Sequence, residues 1–172
     1  IERGTLQMVY GAQRMANAGQ VLVGSGRAEI LGHVLNGPRG LVHAHDGADL
    51  TVWDALVNDG EVRASGGARI VYAGLVTGRG NFTGLDGVHR FEGGYSPGAS
   101  PAEVSLGDAQ FASLLTMELG GTTPGSQHDQ IHFTGSVRFE ETSFLQISLI
   151  NGYQPQAGDR LMLFSYAQAP VG

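Results

Sequence analysis

The sequence predicts an all-β chain of stacked coils, a β-solenoid of parallel strands, with an antiparallel β-sandwich as the alternative. Three observations predict it. Short runs rich in Val, Ile, Leu and Tyr recur about every ten residues, each closed by Gly, Asn or Asp. An apolar run followed by an Asn-Gly or Asp-Gly stop recurs at 34–37, 56–60 and 150–152, and the first two lie as far apart as coils of roughly 20 to 25 residues require. Glycine reaches 28 of 172 residues, and small residues concentrate at turns, where stacked coils bring backbones together.

Taken in order, TLQMVYG, GQVLVGSG, AEILGHVLNG, GLVHAHDG, ADLTVWDALVNDG and EVRASGGARIVYAG each read as strand and turn. Gly and Asn supply the positive φ such turns need. Around Met8, Ala12, Met15 and Ala16 the spacing also suits a helix, but Gly11 interrupts it, so helix and strand-turn-strand stay open. The stretch from Phe91 to Asp108 carries Pro97 and Pro101 among glycines, which excludes a helix or a central strand running through it and makes it a corner. Residues 120–130 form the most polar loop and belong on the outside. The whole of 1–172 reads as one domain.

Composition narrows the function. All ten basic residues are arginine, and 16 acids leave a net charge of −6, which argues against nucleic acid. No apolar run approaches the length of a membrane span. The absence of cysteine removes disulfides and thiolate metal sites. The start at Ile1 fits a processed product or a segment of a longer protein.

Four pieces carry a resemblance: VTGRGNFTG (76–84), FEGGYSPGASPAEVSLGDAQF (91–111), LTMELGGTTPGSQHDQIHFTGSV (115–137) and LQISLINGYQPQAGDRLMLFSY (145–166). In order and spacing they resemble the Gly-rich β-helix repeats of bacterial autotransporter passenger regions and related PEP-CTERM-type secreted surface proteins. The resemblance covers about half the chain. It implies a right-handed parallel β-helix displayed outside the cell, acting as scaffold, adhesin or surface-layer material without catalytic residues. His128 stands where the family pattern usually has an aromatic.

Gly94-Tyr95-Ser96-Pro97-Gly98 has the spacing of a hydrolase nucleophile elbow, but Pro97 lacks the N–H that the oxyanion needs and no helical pattern follows, so Ser96 reads as a turn. His43 and His45 share one side of a strand with Asp46 just beyond, a candidate metal set; His128, Asp129 and His132 form another. Asp46, Asp49, Asp54, Asp59, Asp86 and Asp108 offer oxygens for calcium, although Asp-Gly turns account for them without it. Gly78-Arg79-Gly80 reads as a turn rather than a nucleotide loop. Asn81-Phe82-Thr83 is a sequon by pattern only. Glu140 and Glu141 alternate across a strand, wrong for joint acid/base work. The aromatics Tyr72, Phe82, Phe91, Tyr95, Phe111, Phe133, Phe139, Phe144, Tyr153, Phe164 and Tyr166 are expected to fill the coil interior.

These readings converge on a secreted, non-enzymatic structural or adhesive solenoid with no catalytic residue and no required cofactor. Homo-oligomerisation or head-to-tail stacking is expected, because open ends carry unpaired backbone. The alternatives are a polysaccharide-active β-helix enzyme and a carbohydrate-binding module.

Overall fold

The computed structural model describes residues 14–98 and 100–171. Met8 and Ala12 of the ambiguous helical stretch lie outside them, while Met15 and Ala16 are in a strand. Among the described residues the regular structure is all β.

Nineteen strands fall into three sheets that the chain visits in rotation. The first sheet takes β1 (Met15–Asn17), β4 (Val34–Asn36), β7 (Leu56–Asn58) and β10 (Val76–Thr77), and continues through β15 (Leu114–Leu119) to β18 (Phe144–Leu149). The second takes β2 (Gln20–Val23), β5 (Leu41–Ala44), β8 (Glu61–Ala64), β11 (Asn81–Thr83), β13 (Glu103–Leu106), β16 (Gln130–Phe133) and β19 (Phe164–Tyr166). The third takes β3 (Arg27–Ile30), β6 (Asp49–Val52), β9 (Arg69–Tyr72), β12 (Val88–Phe91), β14 (Ala109–Phe111) and β17 (Val137–Phe139). Every strand pair is parallel, and one strand from each sheet makes a tier. Parallel strands stacked in this way are compatible with a β-solenoid and are not the antiparallel hairpins of a sandwich.

The register gives the tier length. Met15 pairs with Val34, Val34 with Leu56 and Leu56 with Val76, steps of 19, 22 and 20 residues. The corner at 91–108 turns out to hold a tier of its own: Tyr95 bridges Val76 and Leu115 in parallel, standing in the first sheet where a strand would be. Leu115 to Leu145 is 30 residues, because the polar loop at 120–130 is inserted there. Its tip is exposed, but its last residues, His128, Asp129 and Gln130, are buried, contrary to the expectation of an outside loop.

Alternate side chains point between the sheets, so each sheet contributes columns to one core. Ile30, Val52, Tyr72, Phe91, Phe111 and Phe139 form one column in register. Its rings stack at 4.9, 5.1 and 5.3 Å between centroids, close to the 4.7–4.9 Å strand spacing that brings them together. Phe82, from the second sheet, meets Tyr72 and Phe91 edge-on. The expected aromatic filling therefore holds for Tyr72 to Phe133, whereas Phe144 and Tyr166 are 68% and 40% exposed.

A polar column occupies the corner between the first and second sheets. Asn17, Asn36 and Asn58 are buried one above another; Asn17 Nδ2 donates to Asn36 Oδ1 and Asn36 Nδ2 to Asn58 Oδ1, both at 2.8 Å. Remaining amide hydrogens go to the carbonyls of Leu41, Gly40, Glu61 and Asn81. The ladder stops at Gly78, where a Cβ would sit 2.1 Å from the Asn58 carbonyl oxygen.

The Asp-Gly stops behave as turn chemistry predicts. Asp46 and Gly47 both have positive φ (54° and 72°), and Gly66 and Gly67 repeat the conformation one tier on. Other aspartates tie neighbouring tiers: Asp54, Asp59 and Asp108 accept the backbone N–H of Gly32, Arg79 and Ser136.

Asn36→Ala removes the middle of the amide ladder, strands a donor on Asn17 and leaves Asn58 Oδ1 with only the long bond from Gly60 N–H at 3.3 Å. A loss of about 2–4 kcal/mol is expected in urea unfolding; a change within about 0.5 kcal/mol, the range of neutral surface substitutions, would show that the ladder is incidental.

Candidate functional site

Three places concentrate chemistry: the outer face of the second sheet, the buried titratable groups, and the half-exposed last tier.

Outward-facing side chains of the second sheet form a polar strip. Glu61 holds Arg63 at 2.8 Å and also accepts from the Thr83 hydroxyl. These contacts draw Glu61 below the usual carboxylate range against the opposing effect of burial, Thr83 and Arg63 contributing the hydrogen bonds. His43 Nε2 lies 2.8 Å from Ser65 Oγ, and burial followed by the neighbouring His45 lowers its basicity. Farther along, His132 sits between Glu103 (Nε2 to Oε1, 2.7 Å) and Ser165 (Nδ1 to Oγ, 2.5 Å) on three successive strands. A carboxylate, an imidazole and a hydroxyl in that order can relay a proton. The neighbouring backbone is engaged in the ladder, where Ala167 N–H donates to Phe133 O, rather than turned toward the serine.

The metal candidates are dispersed or otherwise engaged. His43 and His45 do share one side, their rings 5.0 Å apart, but His43 bonds Ser65 while His45 Nδ1 bonds Asp46 at 2.8 Å. His128 and Asp129 are buried while His132 is on the outer face. Among the described residues no three His, Asp or Glu side chains are grouped to hold a metal ion. Ser96 continues the backbone ladder, its N–H donating to Val76 O. Glu140 and Glu141 follow the end of β17 instead of alternating along it. Glu140 reaches Arg90, which also holds Glu92 at 2.6 Å and Gln110 at 3.3 Å. The paired carboxylates raise Arg90 above its ordinary range, and Arg90 lowers Glu140.

The buried titratable groups were not legible as a site. His89 occupies the inward column Leu50, Ile70, His89, Ala109 of the third sheet. Its Nδ1 meets the Tyr72 hydroxyl at 2.9 Å and its Nε2 the Thr83 carbonyl at 2.9 Å, so the ring is held neutral, with burial pushing its pKa down to about 4. Asp129 accepts the backbone N–H of Ala102 at 2.9 Å and of Glu118 at 2.7 Å, closing the polar loop onto the stack. Burial nevertheless outweighs those bonds and holds its carboxyl up at about 6. The Tyr95 hydroxyl is buried without a hydrogen-bond partner among the described residues, and burial, then Asp129, raises its pKa.

The last tier differs in kind. In β15, Leu115, Met117 and Leu119 are buried; their register partners in β18, Leu145, Ile147 and Leu149, are 52%, 42% and 54% exposed. An apolar cavity of about 300 Å³ opens there, lined by Leu115, Phe139, Phe144, Leu145, Phe164 and Tyr166. The sequence signal for it was the alternation of FLQISLI, which marks an inward face but not whether anything covers it.

The two buried titrating groups oppose each other. As pH falls from about 6.5 to 4 the unfolded chain protonates His89 and the folded one does not, so stability is lost. As pH falls from about 6 to 4 the folded chain protonates Asp129 first, so stability is gained. Each effect is worth on the order of 3 kcal/mol. Relative to the wild type, His89→Leu is expected to gain about 3 kcal/mol and Asp129→Asn to lose a similar amount between pH 6.5 and 4. Unfolding curves for either variant that track the wild type at constant offset would contradict this.

Comparison with protein-family models, with curated proteins and with solved structures returned no match.

Proposed function

We propose that the chain is a right-handed parallel β-helix acting as a non-enzymatic structural or adhesive element outside the cell, and that it self-associates into a surface or matrix assembly. Rotation of the chain through three parallel sheets supports the helix, and the strong preference of parallel crossovers for one hand supports its handedness. The observation that carries the role is the register itself. Side-chain columns pass in register from tier to tier, and β18, FLQISL, which pairs only with β15 among the described residues, holds no charge and no proline. Protein edges are normally blunted by one or the other, so such an edge suits a surface meant to be covered. The resemblance to autotransporter and PEP-CTERM-type surface repeats supports secretion.

A polysaccharide-active or carbohydrate-binding role is the second reading, favoured by the Glu103–His132–Ser165 row on the outer sheet.

Electron microscopy of the purified full chain, with light scattering at rising concentration, is expected to reveal particles larger than the 18.0 kDa monomer. Isolated monomers at the highest attainable concentration would overturn the assembly role. Glycan turnover abolished by Glu103→Gln would transfer the argument to the second reading.

A further inference from the structure

We propose that the turn at Asn151–Gly152 is a site of spontaneous covalent modification, where the folded chain converts Asn151 to aspartate and isoaspartate. The same dipeptide at Asn36–Gly37 is protected by the stack. The inference is independent of the self-association reading above.

The chemistry needs two groups free. The backbone nitrogen of Gly152 gives its proton to solvent base and attacks Cγ of Asn151; the N–Cγ bond forms, the Cγ–Nδ2 bond breaks, and ammonia leaves. Water then opens the resulting five-membered imide at either carbonyl, so the step needs no reactant beyond solvent. A glycine in second place favours ring closure, because it sets no Cβ against the ring. The sequence offers this pair twice, at 36–37 and at 151–152.

The stack separates the two. At the first pair, Gly37 N–H donates to the Asn17 carbonyl of the preceding tier at 2.9 Å. Asn36 is 1% exposed. Its Nδ2 donates to Asn58 Oδ1 at 2.8 Å and to the carbonyls of Glu61 and Gly40 at 3.0 and 3.2 Å. Attacking nitrogen and leaving amide are both held, and ring closure must break bonds to the tiers on either side.

At the second pair those bonds are missing. Ile150 N–H still reaches back to Leu119 O at 2.9 Å, but β15 ends at Leu119 and the chain departs into the inserted loop. Asn151 and Gly152 therefore project past the ladder as the exposed central residues of a tight turn, with φ of 53° and 69°. Tyr153 N–H closes that turn on Ile150 O at 3.0 Å. Among the described residues neither Gly152 N–H nor the Asn151 side-chain amide has a hydrogen-bond partner. A Cβ on Gly152 would meet nothing within 4 Å, so the turn has room to swing into the ring. Local opening has one turn bond to break. The product sets a carboxylate two residues beyond Leu149, at the end of a strand that carries no charge.

The test follows the full folded chain in mildly alkaline buffer, digested after arginine and mapped by mass spectrometry over time. Cleavage after arginine puts the two pairs in separate peptides, 28–39 and 139–160. Peptide 139–160 is expected to gain the mass of an amide-to-acid exchange and to split into aspartate and isoaspartate forms. Peptide 28–39 should convert more slowly by on the order of 10-fold or more, since its opening must break several buried hydrogen bonds. In urea the difference is expected to vanish. Asn151→Ser, at an exposed position, should abolish the gain in 139–160. Equal rates in the folded chain, an Asn151 that stays unreacted there, a gain that survives Asn151→Ser, or a difference that persists undiminished in urea would each overturn the proposal.

Discussion

Successive tiers are joined strand to strand by parallel backbone hydrogen bonds, and those bonds set a spacing of about 4.8 Å that every interior side chain shares with the one above and below it. All else follows from that constraint. Flat rings can stack on one another at this distance, which is why Tyr72, Phe91, Phe111 and Phe139 form a column. A primary amide can reach its neighbour at the same spacing, which is why Asn17, Asn36 and Asn58 can be buried with their hydrogen bonds satisfied. Where a backbone comes too close for any side chain, glycine is required: at Gly84 a Cβ would lie 1.5 Å from the Ala64 carbonyl oxygen.

Much of this was legible in the sequence. The recurrence of apolar run and Asn-Gly or Asp-Gly stop reports the tier directly, since Asn36 and Asn58 are register partners 22 residues apart. Turn aspartates read as turn residues are turn residues, with Asp46 and Asp86 at positive φ. What escaped is what depends on alignment between tiers. Asparagine beside glycine looks like a solvated turn, and only the stacking reveals that it faces inward. His89 falls in a strand pattern like any polar alternation, until register places it above Ile70. The inserted loop looked wholly external because its composition is polar, yet Asp129 is drawn inside by two backbone N–H donors.

The same constraint shapes the functional reading. Lateral faces of the stack carry polar side chains bonded to one another across tiers, as Arg90 is to Gln110 and Glu140. These networks spread over several tiers, the pattern of a stabilised surface. The apolar columns, by contrast, pack tier on tier, and in the last described tier Leu145, Ile147 and Leu149 remain about half exposed, the surface on which the proposed self-association draws.

The stacked register itself is open to direct measurement. Glu29, Thr51, Val71, Arg90, Gln110 and Arg138 are consecutive partners along the third sheet, five steps in all. Spin labels at Glu29→Cys and Arg138→Cys, in a chain with no other cysteine, should therefore report one distance distribution centred at about 24 Å, five strand spacings. A distribution centred below about 15 Å or above about 35 Å, or one split into separate populations, is incompatible with five parallel steps of that spacing and would contradict the account.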